Sequence, residues 1–390
     1  MDNIEGGYVR LLKPIITINT LILGMVSTPL IAQQSTLNMT EGVTGISHTV
    51  YNLHMTILYI CIAIAVIVFG IMFWSLYQHR KSKGAVAAKF HESTTVEIIW
   101  TAIPIVILIG MAIPSTQALI LMEDTTEADI TIQITGSQWK WHYRYFDHDL
   151  EFYSRLTTSQ AEINNEVEKQ PHYLKEVDNP LVLPINKKVR FLITADDVIH
   201  SWWVPAFAVK KDANPGFINE AWTKIDTPGT YRGQCAELCG KDHGFMPIVV
   251  TALEPEAFDD WLAQAQVTAK QQLQAEQQSL TQTMDMPTMM SLGEDVYNRT
   301  CLACHQASGQ GIPGAFPALK NSPVALGNVN KHIDIVLHGV SGTAMASFAK
   351  QLTKKELAAV ITYERNAWGN NTGDIVQPSQ IDAALTDNNQ

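Results

Sequence analysis

The sequence predicts a multidomain membrane protein: a two-helix transmembrane hairpin, then a β-rich extramembrane domain, then an all-α C-terminal domain. Three observations point there. Only 17% of the 390 residues are charged against 46% hydrophobic, which is below the roughly 25% charged fraction usual for soluble chains. Two long uncharged runs flank a basic loop. Four of the five cysteines fall into two tight pairs, Cys235/Cys239 and Cys301/Cys304, one in each extramembrane part. The mean hydropathy of +0.01 is too low for a chain that is mostly membrane bundle. A formal net charge of −11 argues against nucleic acid as a partner.

The hairpin falls within residues 45–125. Ile57 to Leu76 carries no charge, and at about 1.5 Å per residue it reaches across a hydrocarbon core of roughly 30 Å. Ile98 to Met122 is also uncharged, with Pro104 and Pro114 as kinks that a membrane helix tolerates. Tyr51, Trp74, Tyr77 and Trp100 mark the interfaces. Between the runs, Arg80, Lys81, Lys83 and Lys89 outweigh Glu92 and Glu97, so the loop is cytoplasmic and everything after Met122 lies outside. Residues 1–32 read either as a secretory signal or as a third span. Arg10 and Lys13 precede the apolar stretch Ile15 to Val26, and Ala32 is the cleavage candidate. Both readings give the same orientation downstream.

Residues 126–262 hold β-branched and aromatic runs (Ile130–Ile134, Val189–Ile193, Pro247–Thr251) separated by Pro and Gly turns. Residues 263–289 are Gln-rich and read as a linker with some helical character. Within it and just beyond, Met284, Met286, Met289 and Met290 fit a linker and helix start better than a copper-handling patch. Residues 290–368 show short helices and Gly/Pro loops, and the Asn-, Asp- and Gln-rich tail 369–390 reads as disordered. Cys61 lies inside the first apolar run, where a free thiol packs as a small hydrophobe.

The segment Cys235-Ala-Glu237-Leu-Cys239-Gly-Lys-Asp-His243-Gly-Phe-Met246 places two thiols, an imidazole and a thioether in one loop. That donor set suits copper, and two cysteines with three residues between them can share two ions. Each ion then needs an imidazole, and His200 on a neighbouring strand end is the second. A disulfide or a zinc site is the competing use of the same residues.

With the upstream Asp197-Val-Ile-His200-Ser-Trp202, this spacing closely resembles the CuA domain of subunit II of haem–copper oxidases. Val96-Glu97-Ile-Ile-Trp100 resembles the start of that family's second helix, and Gly136-Ser-Gln138-Trp139-Lys-Trp141 its aromatic first strand. The resemblance covers roughly residues 45 to 262. It implies a cupredoxin-like β-sandwich holding a dinuclear copper (CuA) centre, with His200, Cys235, Cys239, His243 and Met246 as metal ligands and Glu237 contributing its backbone carbonyl. It further implies that the Glu237 carboxylate reaches a magnesium or manganese site at the boundary with subunit I. Trp139 matches the electron-entry residue and Glu97 a carboxylate at a proton-channel mouth, although by itself Glu97 reads as a solvated residue. Phe217 stands where many members carry Arg, so no role is carried to that position.

Cys301-Leu-Ala-Cys304-His305 is the c-type haem attachment pattern. Leu292, Val296 and Tyr297 precede it at helical spacing, and Gly311-Ile-Pro313-Gly-Ala-Phe-Pro317 supplies a haem-covering loop. Met345 follows as the sixth-ligand candidate, with His332 and His338 as alternatives that otherwise lie on solvated surfaces. Thr353-Lys-Lys-Glu356 is a capping box opening a terminal helix. This order resembles a small class I cytochrome c over residues 290–368. The whole chain therefore resembles subunit II of a caa-type cytochrome c oxidase. The resemblance implies electron transfer from haem c to CuA and on to subunit I, where oxygen is reduced to water coupled to proton translocation. Implied partners are subunits I and III and reduced cytochrome c or another donor. The implied location is the bacterial inner membrane, with both redox domains on the periplasmic side. A CuA-containing nitric oxide reductase subunit and a copper chaperone or redox sensor are the competing readings.

Overall fold

The computed structural model describes residues 38–387 except 87, 88 and 90. The expected signal or extra span at 1–32 lies outside the described residues. Helix α1 (Gly45–Gln78) and helix α2 (Thr94–Glu123) are long and apolar enough to cross a membrane, and their side chains face outward along both spans. Pro104 and Pro114 both lie within α2. Thr44 caps α1 by accepting from Ser47 N at 2.9 Å. Its hydroxyl also donates to the Phe207 carbonyl, which ties the helix start to the β-domain. The end of α2 is tied there as well, because Trp222 Nε1 donates to the Leu121 carbonyl at 3.0 Å. Both ends of the hairpin away from the basic loop therefore meet the same domain.

The β-domain is a sandwich of two five-stranded sheets. One has the order β3 (Leu150–Ser154), β2 (Lys140–Tyr145), β1 (Ile130–Ser137), β5 (Val189–Ala195), β8 (Asn219–Thr223). The other runs β4 (Leu181–Pro184), β10 (Pro247–Leu253), β9 (Gly229–Cys235), β6 (His200–Val204), β7 (Val209–Ala213). Alternation drives the packing. Ile130, Ile132 and Ile134 of β1, Trp141, Tyr143 and Tyr145 of β2, and Val189, Phe191 and Ile193 of β5 all point into one core. The segment joining β9 to β10 runs from Cys235 to Met246, so the sandwich presents that loop at one end.

Helix α3 (Pro255–Thr281, 27 residues) runs through most of the stretch expected to be a linker. Pro255 opens it, and the following Ala, Gln, Lys and Glu residues are good helix formers with no internal breaker. Phe258 and Leu262 bury against the sandwich, and Glu276 at the far end accepts from Lys354 N at 3.0 Å. The Gln-rich composition hid a spacer that is anchored at both ends.

The C-terminal domain is helical: α4 (Met286–Val296), a widened turn Tyr297–Cys301 leading into Leu302–His305, α5 (Val329–His338), α6 (Lys354–Asn366) and α7 (Pro378–Asp387). Helices α4 and α6 pack through the buried Gly293, Val296, Ala359 and Val360, and Tyr297, Tyr363 and Trp368 form an aromatic cluster. Met289 belongs to that core, as a helix start requires. The capping box at Thr353 and Glu356 is formed.

Two expectations are corrected here. Within the tail Pro378–Asp387 forms α7, because Val376 and Ile381 insert into the helical core and the Gln377 amide exchanges two hydrogen bonds with the Met284 backbone. Polar composition concealed these two apolar anchors. His332 is 2% exposed rather than solvated. It shares the inner face of α5 with Ile333, Val336 and Leu337, and its Nε2 lies 2.8 Å from Glu364 Oε2. His338 does sit on the surface, paired with Asp334.

Replacing Ile381 with Ala should destabilise the C-terminal domain by about 2–5 kcal/mol, read as earlier thermal loss of its near-UV signal in the full chain. A disordered tail would leave that transition unchanged.

Candidate metal and haem centres

Strand ends and one loop bring the first set of donors together. His200 opens β6, Cys235 closes β9, and Cys239, His243 and Met246 follow in the connecting loop. His200 Nδ1 lies 4.0 Å from Cys235 Sγ, and the two sulfurs are 3.8 Å apart. Cys239 Sγ lies 3.5 Å from His243 Nδ1 and 3.5 Å from Met246 Sδ. The Glu237 carbonyl oxygen is 3.3 Å from Cys235 Sγ. One imidazole thus serves each sulfur, with His200, both cysteines and Met246 buried and His243 half-buried.

The electrostatics fit a cationic centre. The hydrogen bond between the thiols pulls Cys235 well below the ordinary thiol range and pushes Cys239 well above it. The pair gives up its first proton readily and its second reluctantly, as two like charges in one buried site must. Metal cations between the sulfurs would remove that conflict. Thiolate, imidazole, thioether and carbonyl donors at these separations match what two bridged copper ions need.

A second layer of contacts fixes the donors. His200 Nε2 lies 2.9 Å from Asp197 Oδ1, which leaves Nδ1 facing the sulfurs. Burial pushes the Asp197 carboxyl up. Hydrogen bonds from His200, Gln138 N and Val198 N outweigh that and hold it below the usual carboxylate range. From the β1–β2 turn, Gln138 Nε2 and Trp139 Nε1 both donate to the Cys239 carbonyl, at 2.8 and 3.3 Å. Two glycines make this possible. A Cβ on Gly136 would sit 2.9 Å from the His200 ring. Gly240 has φ +118°, and a Cβ there would meet Gln138 Nε2 at 2.8 Å and Trp139 at 3.1 Å. Asp197, Gly136, Gln138 and Gly240 escaped notice as site residues, although Asp197 precedes His200 by three and Gly136 opens the Gly-Ser-Gln-Trp motif.

The carboxylate of Glu237 is exposed. It borders an open pocket with Ser201, Lys211, Asp212 and Asn219. Beside that pocket Leu238 is 79% exposed, and Phe217 and Ile218 also project outward. Glu97 lies elsewhere, exposed in the first turn of α2. The opposite end of that 30-residue helix meets the sandwich, about 45 Å away at 1.5 Å per residue.

In the C-terminal domain His305 is buried, and its Nδ1 lies 2.9 Å from the Pro317 carbonyl. That contact leaves Nε2 for iron and fixes the ring, the usual arrangement of a ligating histidine. Cys301 and Cys304 are free and half-buried on the turn before it. Tyr297 steadies the turn through its hydroxyl, which donates to the Gln306 carbonyl at 2.7 Å. Met345 is half-buried in the loop between α5 and α6, where its carbonyl accepts from Val340 N at 2.9 Å. These residues fit a covalently attached haem c.

The segments that carry the two sets of donors touch. Lys241, two residues after Cys239, donates to the Ala303 carbonyl inside the Cys301–Cys304 turn. Tyr153 hydroxyl and Arg155 Nη2 donate to the carbonyls of Lys350 and Gln351, each at 3.0 Å.

Comparison with known proteins agrees with this architecture. Residues 130–253 match the family profile described as "Cytochrome C oxidase subunit II, periplasmic domain", and residues 32–118 match that of its transmembrane domain. Residues 288–363 match the profile for subunit III of cbb3-type cytochrome c oxidase. A "Probable cytochrome c oxidase subunit 2" of Rickettsia felis is 44% identical over 225 residues, which are 57% of this chain and 70% of the relative. The like-named protein of Rickettsia bellii is 44% identical over 219 residues, 56% of this chain and 80% of the relative. A crystal structure of the periplasmic domain of subunit II of cytochrome oxidase of Bradyrhizobium japonicum is 44% identical. It covers 37% of this chain and 98% of its own, with a TM-score of 0.33. The chain belongs to the cytochrome c oxidase subunit II family and carries a cytochrome c domain at its C-terminal end.

Proposed function

We propose that this chain receives electrons on a haem c in its C-terminal domain and passes them through a dinuclear copper centre to subunit I, where oxygen is reduced to water and protons are translocated. Cys301 and Cys304 would attach the haem, with His305 and Met345 as iron ligands. His200, Cys235, Cys239, His243, Met246 and the Glu237 carbonyl would hold the copper. When bound, the copper pair supplies a one-electron centre whose charge change is shared, and the haem a one-electron carrier whose potential methionine ligation raises. Met345, half-buried in the loop between α5 and α6, is the sixth ligand this reading carries.

One observation carries the proposal: the haem attachment turn touches the copper-ligand loop directly, through Lys241 and Ala303. Trp139 lies beside this contact. Its indole is bonded to the Cys239 carbonyl and its neighbour Lys140 faces the C-terminal domain, which suits it to carry electrons into the copper site. The burial of both cysteines favours this reading over a chaperone, which needs exchangeable ligands. The exposed Leu238, Phe217 and Ile218 around Glu237 suit docking on subunit I, with the Glu237 carboxylate reaching a magnesium or manganese ion at that boundary. Glu97 at the far end of the hairpin suits the mouth of a proton channel on the cytoplasmic side. Subunit III, a reduced cytochrome c or equivalent donor, and the bacterial inner membrane complete the setting.

Replacing Cys235 with Ser should abolish the mixed-valence copper EPR signal of the full chain while leaving its haem spectrum intact. Survival of the signal would remove Cys235 from the ligand set. Replacing Asp197 with Asn frees the His200 ring and should weaken copper retention about 10–100-fold, measured by chelator competition. Unchanged retention would mean that His200 is positioned without it.

A further inference from the structure

The pleat of β2 fixes the direction of Lys140. Trp141, Tyr143 and Tyr145 fill the sandwich core, so Lys140, His142 and Arg144 face outward. Outward lysines on a sandwich are normally solvated. Arg144 is exposed and His142 half-buried, yet Lys140 is only 5% exposed. Its cover is the cytochrome domain. Lys140 Nζ lies 5.8 Å from the Tyr153 ring centre on one side and 5.9 Å from that of Phe348 on the other, at the outer limit of a cation–π contact. Phe348 heads the segment whose Lys350 and Gln351 carbonyls accept from Tyr153 and Arg155. The residues that enclose Lys140 are therefore the residues that join the domains.

The charged and titratable groups around Lys140 come from every neighbouring element. Arg155 and Tyr153 lie at the end of β3, Asp196 and Asp197 before β6, and His142 on its own strand. Cys301 and Lys350 belong to the cytochrome domain. Arg155, Asp197 and Asp196 act on it electrostatically. Among the described residues no carboxylate forms an ion pair with it. An unpaired cation is thus enclosed at the domain contact, within electrostatic reach of the residue expected to bear a haem thioether.

We propose that Lys140 is a positioning residue of the domain contact that places one positive charge at the haem-attachment edge and thereby raises the reduction potential of the haem. The inference rests on the function proposed above. A buried positive charge favours the reduced haem, which carries one positive charge fewer, and low surrounding polarity strengthens the effect. Burial, assisted by Arg155, lowers the Lys140 ammonium to about 7 against the attraction of Asp197 and Asp196. The charge is present below that pH and lost above it. The haem potential should therefore fall as pH rises through neutrality.

Spectroelectrochemical titration of haem c in the full holo-chain, across about pH 5.5–8.5, tests this with two variants. Wild type should show a downward step in potential near neutral pH. Lys140→Met should lose the step and lie at the lower level throughout. Lys140→Arg should lose the step and stay at the upper level, because guanidinium remains charged. Coincident, equally pH-dependent curves for all three would overturn the proposal, as would parallel shifts that preserve the step. Photoreduction of the haem with copper absorbance followed in the same samples separates the two readings. If wild type passes no electron to copper, the proposed function fails, and the three potential curves still decide the role of Lys140.

Discussion

Two sulfurs held 3.8 Å apart in a buried loop cannot both be thiolates without cations beside them. The rest of the molecule can be read as the means of meeting that constraint. Strand β6 delivers one imidazole to one sulfur, and the loop between β9 and β10 delivers the other imidazole and the thioether to its partner. Asp197 and the β1–β2 turn then lock the donors from behind. The hydrogen bonds of Gln138 and Trp139 to the Cys239 carbonyl come from the tight turn between two interior strands, so the loop has little freedom to collapse into a disulfide or to let its ligands exchange. Rigidity of this kind suits electron transfer, where bond lengths must change little between states.

The same end of the sandwich organises the second domain. The cytochrome contact uses Tyr153, Arg155 and Lys241 as donors to backbone carbonyls rather than to carboxylates. A contact built this way depends on fit more than on long-range attraction, and salt screens it less than a set of opposed surface charges. Helix α3 reinforces the arrangement by spanning from the sandwich core to Glu276 beside the start of α6. A flexible tether would give the cytochrome a high local concentration. A helical strut with anchored ends also restricts its orientation.

Much of this was legible in the sequence because the chemistry forces residue types into close spacing. The copper donors lie within one loop plus one upstream strand end, and the haem motif lies within five residues. The spans announced themselves by the absence of charge. Elements whose logic depends on distant partners were not legible. Composition made 263–289 look like a linker, since nothing in a Gln-rich run reveals that Phe258 and Leu262 will anchor its helix. The tail looked disordered because only Val376, Ile381 and the partly buried Ile375, Ala384 and Leu385 carry its packing. His332 looked solvated until α5 turned it toward Glu364. Lys140 interrupts an aromatic strand at an outward position, and only the apposed cytochrome domain makes it a buried cation.

The central claim is that the two redox domains of one chain work as a joined pair. It is tested most directly by flash photoreduction of the haem in the holo-chain, with reduction of the copper followed over a range of protein concentrations and salt. A joined pair gives a first-order rate that is independent of concentration and nearly insensitive to ionic strength. A rate that rises with protein concentration, or collapses in salt, would contradict it.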